Sequence, residues 1–192
     1  MILNVEINMR LQHAIYNDPS YAPKIHDSLR VDEAFIHHLE TSNDWTAMIL
    51  AWSLLEACIS EAISIQLAAD SILPLIQKLA LNGRTGKVEM AHALGLLSRE
   101  EKKFVENFSV LRNRLAHGTS LFGFQFREYY NDVDAQIEAE KSLIFSEVTE
   151  PESKRILTFR SDPRLLVVSN AIFVCLNAIG TAGYDESDRY HD

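Results

Sequence analysis

Turn-forming residues are scarce in this chain, with seven glycines and five prolines among 192 residues. An all-β sandwich or barrel spends such residues at every hairpin, so the shortage excludes those architectures and makes long helices the default. Cysteine is also rare. Cys58 and Cys175 both lie in apolar runs, the setting of reduced core thiols and not of a disulfide framework. The third shortage is positive charge, since 18 Lys and Arg face 27 Asp and Glu for a net charge of −9. That balance repels phosphate and anionic lipid unless cations are locally concentrated. The longest apolar runs, Ala47 to Trp52 and Ala171 to Leu176, fall well short of the roughly 20 residues that a bilayer crossing needs. A cytoplasmic protein with no membrane partner is therefore expected.

Hydrophobic residues make up 47% of the chain, enough for a substantial core in one domain. We expect that domain to span residues 1–183, followed by a flexible tail over 184–192. Helical periodicity predicts a short helix over residues 4–16, closed by Asp18-Pro19, and a second over 31–40. Residues 44–69 are rich in Ala and Leu, lack Gly and Pro, and are apolar nearly all the way round, as in a helix surrounded by others. Trp45 and Trp52, seven apart, share one face of it, and Ser42-Asn43 offers its N-cap. Further helices are expected over 71–81, 86–97 and 99–117, the last opened by the capping box Ser98-Arg99-Glu100-Glu101 and stopped at Gly118. Phe122, Phe124 and Phe126 alternate as a short strand would, or as a loop packed on a bundle. An acidic helix and turn then lead through 132–152, Ile156 to Phe159 reads as extended, and Asp162-Pro163 opens a final helix to about Ile179. The fold predicted is an all-α, up-and-down bundle of four to five main helices, with an irregular segment before the last.

One segment does not read as plain core: Leu111 to Gly118, LRNRLAHG. At about 100° per residue, Asn113 and His117 fall on one helical face, so the amide can orient the imidazole, with Arg112 about 100° away. The negative end of the helix dipole favours protonated His117. An oriented His beside a fixed cation suits phosphoryl transfer without metal, the His as acid or base and the Arg on the transition-state charge. A helix C-terminus that simply collects favourable cations has the same spacing.

The run Arg112-Asn113-Arg114-Leu115-Ala116-His117 resembles the R-N-x-x-x-H signature of the HEPN superfamily. GKVEMAHALGLLSREE, Gly86 to Glu101, is similar to a stretch of its mannitol-repressor-like (MltR-like) branch. Together with the Trp52 to Ile65 helix, the resemblance spans roughly residues 44–126. It implies a helical bundle that dimerises through the helix carrying Arg112 and His117. Many members are metal-independent endoribonucleases, often toxins or antiviral effectors, some with a protein inhibitor. On that basis Arg112 and His117 are expected to be catalytic and Asn113 their orienter. Other members are non-catalytic regulators, so a transcriptional regulator or interaction module is the alternative. Members paired with a nucleotidyltransferase antitoxin usually carry Tyr two residues after the His, where this chain has Thr119.

Glu56 lies amid apolar sequence and needs a partner if buried. Lys87 or Arg112 would supply it and place Glu56 and Lys87 in support of the site, whereas in a wet groove Glu56 would need neither. Between Arg84 and Arg127, eight Lys and Arg outnumber four acids, leaving that window at +4 and the rest of the chain at −13. Lys102, Lys103 and Arg114 in this window are candidate RNA contacts, and a solvated helix face accounts for the same count. His37 and His38 are adjacent and point apart, and His13, His26 and His92 lack ligand spacing. No glycine-rich phosphate loop is present, so neither metal nor cofactor is expected.

Overall fold

The computed structural model describes residues 29, 31–117, 123–126 and 163–188. The elements are α1 (Glu33–Thr41), α2 (Asp44–Gln66), a 3₁₀ turn (Asp70–Ile72), α3 (Leu73–Ile76), α4 (Lys87–Ala93), α5 (Arg99–His117) and α6 (Pro163–Asp188). The architecture is an all-α helical bundle, with no strand among the described residues. The helix expected over 4–16, the acidic stretch 132–152, the segment 156–159 and Phe122 lie outside the described residues.

Local signals start the helices where the sequence places them. The Asp32 carboxylate accepts from Ala34 N at 2.9 Å to cap α1, and Asn43 Oδ1 accepts from Thr46 N at 2.8 Å to cap α2. At α5, Ser98 Oγ accepts from Glu101 N while Glu101 Oε2 accepts from Ser98 N at 2.7 Å, a reciprocal capping box.

Around α2 the other helices gather, and its buried residues, among them Met48, Trp52, Leu55, Ile59 and Ile63, point to several sides of its axis. Length and composition alone would let α2 cross a membrane, but 61% of its apolar window is buried inside the protein, as in the core helix of a bundle. Trp45 Nε1 donates to Leu115 O at 3.4 Å and the Trp52 ring meets Phe108 at 5.9 Å, so α5 runs antiparallel to α2. Arg164 at the start of α6 reaches Leu39 O and Asp44, while Asn177 donates to Glu101 Oε1 at 2.7 Å near the start of α5. Helix α6 is therefore parallel to α2, and the two share the most extensive contact in the bundle.

Three expected boundaries move. The helix expected over 71–81 ends at Ile76, because the chain then turns to receive α4: Lys87 N and Val88 N donate to Ala80 O and Leu81 O at 3.0 Å. Gly86 makes this return possible, since a Cβ there would lie 2.7 Å from the backbone of Asn82. The helix expected over 86–97 stops at Ala93. Gly95 adopts φ +77°, its N–H donates to His92 O, and Leu96 N donates to Ala91 O at 2.9 Å, which completes a Schellman cap. In the other direction, α6 continues past Ile179 to Asp188, and Gly180 and Gly183 do not interrupt it. Of the aromatic segment, Gly123 to Gln125 is a turn without regular structure, packed on the bundle, and Phe126 is helical. Phe124 and Phe126 are buried edge to face, and Phe126 N donates to Asp44 Oδ2 at 2.9 Å.

Candidate functional site

Helix α5 positions the motif. Phe104, Val105, Phe108, Leu111 and Leu115 are buried on its inner side, whereas Lys103, Glu106, Val110, Asn113 and Arg114 are exposed. Arg112 sits at the border between the two. Its guanidinium lies over the Trp52 ring, 5.8 Å from the centroid, and Trp52 packs on Phe108, which stacks with Phe104 at 5.6 Å. Nη1 donates to Asn113 Oδ1 at 3.1 Å. The Nε atom is buried and has no hydrogen-bond partner among the described residues. The cation thus lies over the end of an aromatic column, with its Nη1 tied to a neighbour on the same helix.

Asn113, expected to orient His117, accepts from Arg112 Nη1 through its side-chain oxygen. His117 is the last residue of α5, and its side chain lies outside the described residues. Five residues of helix rotate position 117 about 140° from position 112, so the helix alone does not bring the two to one face.

Glu56 and Lys87 do meet. Lys87 is only 1% exposed, and its Nζ donates to Glu56 Oε1 at 2.9 Å, Ser60 Oγ at 3.2 Å and Gln77 O at 3.4 Å. All three ammonium donors are used, which is what a buried lysine requires. Glu56 keeps its side chain 40% exposed, so the pair is dry at the Lys end and wet at the Glu end. Among the described residues the ion-pair partner of Glu56 is Lys87 and not Arg112.

The candidate RNA contacts differ in availability. Lys102 is bound to Glu89, with Glu106 at 3.9 Å, and the hydrogen bond it donates to the Glu89 carboxylate holds its pKa above the ordinary lysine value. Lys103 is exposed, as is Arg114, which has a partner within the chain. His92 Nδ1 lies 2.8 Å from Leu97 O, at the turn after α4.

Sequence reasoning misses three partners: Trp52 beneath Arg112, Glu89 for Lys102, and Asn177 for Glu101. Only the first had a signal, a Trp sharing a helical face with Trp45 in an otherwise small and aliphatic helix. Together these features define a helical bundle carrying an aromatic-backed arginine near the C-terminal end of one long helix. No family model, curated protein or solved structure matches the chain.

Proposed function

We propose that this chain is a metal-independent endoribonuclease of HEPN type, a cytoplasmic homodimer that meets RNA at the C-terminal end of α5. The observation that carries the reading is the Arg112 guanidinium, fixed over Trp52 and tied to Asn113 in a motif that resembles R-N-x-x-x-H. A guanidinium whose rotamer is already set loses little entropy on meeting a phosphate and offers planar donors to its oxygens. In the reaction, His117 takes the proton of a 2′-hydroxyl, whose oxygen attacks phosphorus. The P–O5′ bond breaks, a proton passes to the leaving O5′, and a 2′,3′-cyclic phosphate and a 5′-hydroxyl remain. Arg112 stabilises the charge on the pentacoordinate phosphorus. A protein inhibitor fits such a toxin-like role.

A non-catalytic interaction module of the mannitol-repressor type is the second reading. Val110, 54% exposed on the outer side of α5, and Lys102, with its charge spent on Glu89, favour it. Labelled RNA incubated with the purified protein in excess chelator separates the two. Cleavage that survives chelator and disappears in both His117→Ala and Arg112→Ala supports the nuclease, and no cleavage by the wild type leaves the interaction module.

A further inference from the structure

Arg112 has three nitrogens, and the structure treats them differently. Nε is sealed from solvent without a partner among the described residues, and Nη1 is shared with Asn113. Under the guanidinium carbon, 5.8 Å away at its ring centroid, lies the indole of Trp52, itself only 7% exposed and packed on Phe108. An arginine can meet a phosphate side-on, through Nε and one Nη, or end-on, through its two Nη groups. With Nε buried, the side-on approach is closed. Trp52 lies one helix away and is buried, so it meets no ligand itself. Its ring is the surface over which the guanidinium carbon sits.

We propose that Trp52 is a positioning residue of the α5 site: it holds Arg112 so that a phosphodiester is met end-on, through the Nη groups alone. This rests on the nuclease reading for its catalytic consequence, but the holding of Arg112 by Trp52 is a property of the folded chain and can be measured without RNA. Cation–π attraction is strongest for Trp and weaker for Phe, and Leu has no ring face to offer. A graded series therefore follows. Trp52→Phe keeps an aromatic surface under the guanidinium, whereas Trp52→Leu removes it.

The test is the rate at which phenylglyoxal modifies Arg112, read by peptide mass spectrometry, alongside chelator-resistant cleavage and thermal melting. Trp52→Leu should raise the modification rate of Arg112 by about tenfold, and Trp52→Phe by much less, in proportion to the attraction lost. Cleavage by Trp52→Leu should fall mainly in kcat with KM little changed, and Trp52→Phe should restore most of it. Phe104→Leu controls for loosening of the core, because it trims the far end of the same aromatic column, about two helical turns before Arg112. Its Arg112 should react at the wild-type rate even where its melting temperature drops as far. Equal Arg112 rates in wild type, Trp52→Phe and Trp52→Leu overturn the proposal, as does a rate in Phe104→Leu that rises with that of Trp52→Leu. A wild type that cleaves no RNA overturns the nuclease reading instead, and the modification rates still decide whether Trp52 positions Arg112.

Discussion

Lys87 Nζ lies 2.9 Å from Glu56 Oε1, and this ion pair joins α4 to the middle of α2. Removing water from an ammonium costs several kcal/mol, which here is offset by Glu56, by Ser60 Oγ and by the Gln77 carbonyl. The carbonyl contact also anchors the turn between α3 and α4, so one side chain ties three elements together.

Breaking that pair from one side should be costly. Glu56→Ala leaves a buried ammonium without its counter-charge, and we expect a loss of about 3 kcal/mol in chemical denaturation. Lys87→Met, which removes the charge from the buried end and keeps most of the stem volume, should cost less, because Glu56 can turn to water. Equal losses in the two variants would show that the desolvated ammonium is not the source of the cost.

The capping box at the head of α5 was legible in the sequence because Ser-x-x-Glu before an apolar run is a local rule, satisfied within four residues. The Trp45–Trp52 face and the Asn43 cap were legible for the same reason. What escaped depends on distant chain. Arg112 lies on Trp52, sixty residues earlier in the sequence, and Lys102 on Glu89 across the α4–α5 turn, and no spacing rule links either pair. Gly95 was hidden differently, since Leu-Gly-Leu-Leu continues a helical register that only the left-handed φ of its glycine breaks.

Glu101 closes that box and, almost fully buried, also accepts from Asn177 of α6. Ser98→Ala should therefore cost about 1 kcal/mol, the usual loss of a helix cap. Glu101→Ala should cost distinctly more, because it strands the Asn177 amide as well as the Ser98 N–H. Asn177→Ala in the Glu101→Ala background measures the coupling, and additive losses would mean the two side chains do not act together.

Gly95→Ala forces a Cβ onto a residue at φ +77°, and a destabilisation of about 1 kcal/mol is expected even though open space surrounds the site. Gly86→Ala meets the backbone of Asn82 instead and should lose more, with the α3–α4 turn displaced. Denaturant midpoints of the two variants give the ranking directly, and the reverse order would contradict the close approach at Gly86.

Burial pushes the Cys175 thiol well above its ordinary value, with a hydrogen bond to Cys58 adding to the effect. Above the unfolded thiol pKa, the unfolded chain has released its proton while the folded chain still holds it. Stability from this group is thus fully present below that pKa and is lost as pH rises toward the folded value. Melting temperatures should fall between pH 8 and 10, and the fall should be shallower in Cys175→Ala. Iodoacetamide should label neither buried thiol of the folded protein at pH 8.

Lysines 102 and 103 are neighbours in sequence but differ in what they can offer RNA. The Lys102 ammonium is bound to Glu89, and to meet a phosphate it would have to leave that carboxylate, so the exchange of one anion for another gains little. Lys103 stands exposed on the outer side of α5, the side that Arg114 shares. If RNA follows that side, Lys103→Ala should weaken binding at low salt and reduce the slope of log affinity against log salt by about one phosphate contact, whereas Lys102→Ala should leave both nearly unchanged. Fluorescence anisotropy with a short single-stranded RNA at several salt concentrations measures both quantities. Equal losses from the two lysines would mean that the Glu89 pair opens on binding, and a loss from Lys102→Ala alone would place the RNA on the side of α5 that faces α4.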